Sequence, residues 1–128
     1  MSTTLFVNLP VKDLERSKDF FTRLGFTFFG ETAEIVSVVI NERTQVMLLT
    51  EPTFARYSSR PSANPTTGSP VILVLALEDR AQVDAMVQKA LQAGAASTGP
   101  AREEDGRYQL GFLDLDGHQW EALCLTQP

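Results

Sequence analysis

The chain has 128 residues, of which 43% are hydrophobic and 21% are charged, and its formal net charge at pH 7 is −5. This length fits one domain that buries its own core, and the composition excludes a disordered or fibrous protein. The negative charge disfavours nucleic acid as a partner, because binding to a phosphate backbone needs a basic face.

Apolar runs and cysteine content bear on the location of the protein. The longest apolar runs, such as Val71 to Leu77, are far shorter than the roughly 20 residues that cross a bilayer. Cys124 is the only cysteine, so the chain can form neither an intrachain disulfide nor a zinc cluster of several thiolates. We expect a cytoplasmic protein without a signal peptide and without a membrane partner.

The first predicted element is a strand from Leu5 to Val11, in which hydrophobic residues occupy every second position. One face of this strand is uniformly apolar and should lie under a helix. The other face is mixed and could line a cavity. The mixed face carries Phe6, Asn8 and Pro10.

A helix is predicted next, with Asp13 as its N-cap and Gly25 as the residue that ends it. Apolar residues recur between them at helical spacing. Three strands then complete the first half, and a short turn joins the last two. The predicted strands run from Phe26 to Phe29, from Glu34 to Ile40 and from Gln45 to Thr50.

The same order of elements repeats in the second half. A strand from Val71 to Leu77 precedes a helix that Asp79 caps and Gly94 ends. A segment rich in Pro, Ser and Thr, residues 59–70, separates unit one, about 1–58, from unit two, about 71–128. The remaining predicted strands are about Ala96 to Ala101, Tyr108 to Asp114 and His118 to Leu125.

Both halves therefore have the pattern of a βαβββ unit, and the predicted fold class is α+β. One such unit leaves one face of its sheet uncovered, so two units must pair to enclose a core or a cup.

Two segments make this pattern similar to a known family. The first is Asn-Leu-Pro-Val-Lys-Asp-Leu-Glu-Arg-Ser from Asn8 to Ser17, and the second is Asp-Leu-Asp-Gly-His-Gln-Trp-Glu from Asp114 to Glu121. Together with the strand and helix of the second half, they resemble the glyoxalase, bleomycin-resistance and extradiol-dioxygenase superfamily, also called the vicinal oxygen chelate superfamily. The resemblance implies a U-shaped, partly closed mixed sheet with the helices outside and the site inside, and a symmetric homodimer.

Metal-dependent members of that family place ligands on the first and last strands of each unit. The resemblance transfers these positions to Phe6, Val46, Ile72 and Glu121. Three of these four side chains are hydrocarbons and cannot bind a metal, and the only histidine, His118, falls at a predicted hairpin turn. We therefore expect neither a divalent metal nor another cofactor.

Glu121 is the main candidate for a functional residue. It would face the cup, where its carboxylate could bind a cation or act as a general base. The alternative is a structural carboxylate that is paired with a nearby donor. Its neighbours Trp120, Ala122 and Cys124 alternate with it and are assigned to the helix-packed face.

Other residues are candidates for contact with a ligand. Asn8 could orient a bound molecule, or its amide could be bonded to the backbone. Tyr108 could lie at the rim of the cup. Aliphatic and aromatic side chains would form the walls of a pocket or, equally, fill a solid core. These residues are Phe6, Val46, Leu48, Ile72, Val74, Phe112 and Leu123.

Three functions are consistent with the sequence. The first hypothesis is metal-independent binding of a small, partly apolar molecule in the cup, as in the resistance-type members of the family. The second is a lyase, isomerase or dioxygenase of the same superfamily, similar to glyoxalase I, with an unusual or lost metal site. The third is a non-catalytic domain whose cup is filled and whose surface binds a protein.

Overall fold

The computed structural model describes residues 3–60, 64, 66, 68 and 71–126. Contacts divide the chain into two compact units, with the boundary between residues 63 and 64. Of the predicted linker at 59–70, residues 61–63, 65, 67, 69 and 70 lie outside the described residues. The described part contains three helices and two mixed sheets, which confirms the predicted α+β class. None of these helices is long and apolar enough to cross a membrane.

Unit one follows the predicted order of elements. The strands form one sheet in the order β1-β4-β3-β2, in which β1 is parallel to β4 and the other pairs are antiparallel. A short second helix follows the last strand. The elements are β1 (Leu5–Val11), α1 (Leu14–Arg23), β2 (Thr27–Glu31), β3 (Ile35–Asn41), β4 (Thr44–Thr50) and α2 (Glu51–Tyr57).

Unit two repeats this arrangement with one additional strand. Its sheet has the order β5-β9-β8-β6, β5 is parallel to β9, and β7 also pairs with β8. The elements are β5 (Ile72–Ala76), α3 (Arg80–Gln92), β6 (Ala96–Ser97), β7 (Arg102–Glu104), β8 (Arg107–Leu113) and β9 (Gln119–Leu125).

The predicted single strand at 96–101 is wrong, because two short strands, β6 and β7, replace it. Gly99 between them has a φ of 114°, which interrupts extended backbone. Pro100 follows and has no N–H to donate to a ladder. The chain thus leaves the sheet after Ser97 and returns to it at Arg102.

The predicted helix starts and ends are confirmed. The carboxylate of Asp13 accepts from the backbone N of Arg16 at 3.1 Å, and that of Asp79 accepts from the backbone N of Gln82 at 2.9 Å. Gly25 and Gly94 follow the two helices with φ of 99° and 107°, a conformation that glycine adopts without a steric penalty.

One face of the first sheet packs under α1, which contacts β3 and β4. Leu9 pairs with Leu48, and Leu48 pairs with Val36, so these side chains project to the same side. This layer excludes water and supplies the hydrophobic stabilisation of the unit. Its buried residues are Leu9, Val11, Val36, Val38, Val46 and Leu48 from the strands and Leu14, Phe20 and Phe21 from the helix.

The second sheet packs under α3 in the same way. Trp120 pairs with Phe112, and their rings stack with centroids 6.3 Å apart. Ala122 and Cys124 are also buried, and α3 contacts both β8 and β9. The prediction that Trp120, Ala122 and Cys124 lie on the helix-packed face is confirmed.

The turn between β8 and β9 is organised by the buried side chain of Asp114. Its Oδ1 accepts from the backbone N of Asp116 and of His118, each at 3.0 Å, and its Oδ2 accepts from Trp120 Nε1 at 3.0 Å. Burial raises the pKa of the Asp114 carboxyl, while His118 and these hydrogen bonds oppose the rise. This one side chain therefore connects the turn to the aromatic core.

Replacing Asp114 by Ala should destabilise the protein, because Trp120 Nε1 and two backbone N–H groups lose their acceptor. An unsatisfied buried donor costs about 1–3 kcal/mol, so we expect a loss in the free energy of unfolding of at least that size. Urea unfolding followed by the fluorescence of Trp120, the only tryptophan, measures it. Asp19→Ala, at an exposed ion pair on α1, is the control and should change the stability by less than about 0.5 kcal/mol. A loss no larger than that of the control would contradict this account of the turn.

Candidate functional site

The face of the second sheet opposite α3 carries the residues of the candidate site. Glu121 on β9 pairs with Val74 on β5 and with Gly111 on β8, so these three residues project to the same side. Gln109 lies two residues before Gly111 and therefore shares this face. We call it the open face of unit two.

Glu121 is deeply buried on this face, with only 4% of its surface exposed. Its Oε1 accepts from Gln109 Nε2 at 2.9 Å and lies 3.6 Å from the guanidinium of Arg102. Its Oε2 is buried and has no hydrogen-bond partner within the described part of the chain. Buried carboxylate oxygens are rarely left unsatisfied, because the loss of hydration is costly.

Gly111 provides the space that the Glu121 carboxylate occupies. A Cβ at position 111 would overlap Glu121 Oε2 and would lie 2.6 Å from its Cδ. The same Cβ would lie 2.9 Å from Thr98 Oγ1. The absence of a side chain at this position therefore allows the carboxylate to lie flat against β8.

These residues line a concavity with a volume of about 310 Å³, near the lower end of the usual range for small-molecule sites. Thr98 and Gln119 complete its polar walls, and Pro100 and Leu110 add apolar surface. Arg102 stands at the mouth with 64% of its side chain exposed. The residues that line the concavity thus include a carboxylate that can accept hydrogen bonds, and a guanidinium, two carboxamides and a hydroxyl that can donate them.

Ile72 and Val74 place apolar surface beside this concavity. Both lie on β5 and project to the open face of unit two, since Ile72 pairs with Gln119 and Val74 with Glu121. They are 50% and 49% exposed. The predicted site residues Ile72 and Glu121 are thus brought together on one face.

Phe112 was predicted to line the cup with Glu121, and Tyr108 was predicted to lie at its rim, and both predictions are wrong. They pair with Trp120 and Cys124, so they project to the helix side. Phe112 is buried there. The hydroxyl of Tyr108 donates to Asp84 Oδ1 on α3 at 2.5 Å, which raises the pKa of Tyr108. Tyr108 therefore forms a hydrogen bond between β8 and α3.

Val46 and Leu48 were also assigned to the wrong face. They pair with Val7 and Leu9 and lie buried beneath α1. The prediction placed them on the side of Phe6 and Asn8, and a shift of one residue along a strand reverses the face of every side chain.

The open face of unit one is formed by the alternate residues of β1 and β4. Phe6 is 54% exposed and pairs with Gln45, while Asn8 is exposed and pairs with Met47. Asn8 matches Val74, because each lies five residues before the aspartate that caps the following helix. Met47 is therefore the counterpart of Glu121, and the transfer of a ligand position to Val46 missed it by one residue.

Arg102, Gln109 and Gly111 were not identified from the sequence. The sequence did contain a signal for Gln109 and Gly111. The tight turn at Asp116-Gly117 sets the pairing of β8 with β9 and so places these two residues on the face of Glu121. Arg102 had no such signal, since its position depends on the return of the chain to the sheet after Pro100.

The donor set does not fit the metal that the family resemblance implies. Phe6 and Ile72 are hydrocarbons, Met47 carries a thioether, and Glu121 supplies one carboxylate. The described residues contain no group of three or more His, Cys, Asp or Glu that could hold a metal ion.

Comparisons with solved structures agree with the fold. The hypothetical protein SA1046 from S. aureus is 31% identical, with a TM-score of 0.83 over 97% of this chain and 94% of that chain. A glyoxalase/bleomycin resistance protein/dioxygenase family enzyme from Burkholderia phytofirmans PsJN is 17% identical, with a TM-score of 0.80 over 97% of this chain and 99% of that chain. TnmS3, an antibiotic binding protein from Streptomyces sp. CB03234, is 23% identical, with a TM-score of 0.70 over 98% and 97%.

Sequence comparison gives the family directly. No curated protein has significant similarity to the chain. The family model described as Glyoxalase/Bleomycin resistance protein/Dioxygenase superfamily matches residues 4–122, which is nearly the whole chain. The resemblance stated from the sequence is confirmed, and the chain belongs to the glyoxalase, bleomycin resistance protein and dioxygenase superfamily.

Proposed function

We propose that the protein binds a small, partly apolar molecule on the open face of unit two, without a metal ion. The observation that carries this proposal is the buried Glu121 carboxylate, whose Oε2 has no partner among the described residues. Glu121 is one of the residues that line the concavity. An N–H or O–H group of the bound molecule would donate to this oxygen.

The energetics favour a ligand at this position. A hydrogen bond to a charged group contributes about 1.5–3 kcal/mol, and a donor from the ligand would also relieve the cost of an unsatisfied buried oxygen. The half-exposed Ile72 and Val74 offer apolar contact next to the carboxylate. A molecule with one donor group and an adjoining apolar part would use both features.

The comparisons support a binding role for this fold. TnmS3 shares the fold and is an antibiotic binding protein. We infer from this likeness, together with the unpaired oxygen of Glu121, that the site holds a ligand.

A lyase, isomerase or dioxygenase of the same superfamily is the alternative. A reaction that protonates one atom while it deprotonates another needs a proton donor as well as a proton acceptor. The ionisable groups that line the concavity are Glu121 and Arg102, and an arginine stays protonated. The geometry therefore favours binding over catalysis. A homodimer and a cytoplasmic location also stay predictions.

Glu121→Gln is expected to weaken binding while the protein stays folded, because the amide nitrogen cannot accept a donor from the ligand. A suitable probe is phenethylammonium, which joins an ammonium group to an aromatic ring. We expect a loss of about tenfold or more in affinity, corresponding to at least about 1.4 kcal/mol, measured by calorimetric titration.

Glu104→Gln is the matched control, since Glu104 is exposed on β7 and does not line the concavity. Its affinity should equal that of the parent. Equal affinities of the Glu121→Gln variant and the parent would contradict the proposal. A sharp fall in the melting temperature of Glu121→Gln, with no binding by the parent, would show that Glu121 is structural.

Gly111→Ala should abolish most of the binding by a different route. The new methyl group would take the space of Glu121 Oε2, so the carboxylate must swing away while the strand stays paired. We expect an affinity close to that of Glu121→Gln, and a double variant that is no weaker, because both changes remove the same interaction. Gly68→Ala, where a Cβ meets nothing within 4 Å, is the control. Unchanged binding by Gly111→Ala would refute this role of the glycine.

Removal of divalent metals should leave the affinity for phenethylammonium unchanged, because Glu121 receives the ligand directly. The measurement compares titrations before and after dialysis against EDTA, together with elemental analysis of the purified protein. About one bound metal per chain, with binding lost on chelation and restored by the metal, would contradict a metal-independent site.

A further inference from the structure

Arg102 has more donor capacity than its contact with Glu121 uses. One guanidinium nitrogen lies 3.6 Å from Glu121 Oε1, and the described residues supply no other partner. A guanidinium carries five N–H donors in a planar fork that matches a carboxylate. Because most of the Arg102 side chain is exposed at the mouth of the concavity, these donors are accessible to a ligand.

The residues that line the concavity therefore carry two opposite charges that differ in burial. The carboxylate of Glu121 is buried, and the guanidinium of Arg102 is largely exposed. A ligand with only a positive charge would be attracted by Glu121 and repelled by Arg102. A ligand with only a negative charge would be attracted at the mouth and would leave Glu121 Oε2 without a donor.

We infer that the ligand is a zwitterion of the α-amino-acid type, with an ammonium group next to a carboxylate. This inference rests on the proposed function. The ammonium donates to Glu121 Oε2, and the carboxylate accepts from Arg102. The carboxamides of Gln109 and Gln119 and the hydroxyl of Thr98 line the same walls and supply neutral hydrogen bonds to either group.

Size and polarity agree with such a ligand. A volume of about 310 Å³ suits a molecule with the dimensions of an amino acid better than a large polycyclic drug. The exposed Ile72 and Val74 next to Glu121 would contact an apolar side chain. Arg102 is then the residue that determines specificity, because it distinguishes a zwitterion from a simple amine.

Three probes with the same phenyl group and different charges test this inference. L-Phenylalanine carries both charges, phenethylamine carries the ammonium alone, and 3-phenylpropanoate carries the carboxylate alone. Calorimetric titration should show that phenylalanine binds about tenfold or more tightly than either of the others. Arg102→Gln should reduce the affinity for phenylalanine to that for phenethylamine, without weakening phenethylamine.

Arg107→Gln is the control, because it makes the same change in charge on β8 at a residue that does not line the concavity. It should leave the preference for phenylalanine intact. If phenethylamine binds as tightly as phenylalanine and still depends on Glu121, the zwitterion inference is overturned and the proposed function stands. If 3-phenylpropanoate binds best, the inference is also overturned. If none of the three probes shows saturable binding up to about 10 mM, the zwitterion inference and the proposed function are both overturned.

Discussion

Successive side chains of a β-strand project to opposite sides, and this constraint decides which residues of the protein are core and which are available for binding. In each unit a helix covers one side of the sheet and buries an apolar layer. The other side of the second sheet carries Glu121, with Val74 and Gly111 as its direct neighbours. Every assignment of a functional residue depends on this division.

The buried carboxylate of Glu121 is held in place by what surrounds it on three sides. Gly111 leaves room for the carboxylate, Gln109 donates to Oε1, and Arg102 places a positive charge nearby. These contacts satisfy one oxygen and leave the other without a partner in the described residues. A carboxylate with one unsatisfied oxygen gains a hydrogen bond when a ligand donates to it.

The helix side and the open face are connected through the turn before β9. Asp114 accepts hydrogen bonds from two backbone nitrogens of the turn and from Trp120 Nε1. Trp120 precedes Glu121, so the anchoring of its ring in the core also fixes the strand that carries the carboxylate. In the motif Asp-Leu-Asp-Gly-His-Gln-Trp-Glu, the first residue, Asp114, thus stabilises the structure, and the last, Glu121, is the candidate functional residue. The histidine of the motif, His118, belongs to the connection between the two strands.

The sequence by itself determined the repeated order of elements, the helix ends at Asp13 and Asp79, and the alternation that sets Trp120 and Glu121 on opposite faces. These features are local, because caps and strand periodicity depend on residues close together in the chain. Only the tertiary structure decided that Phe112 lies under the helix, that Gly111 receives the Glu121 carboxylate and that Arg102 reaches it from β7. The pairing of distant strands sets these neighbours, and a shift of one residue in register exchanges the two faces of a strand.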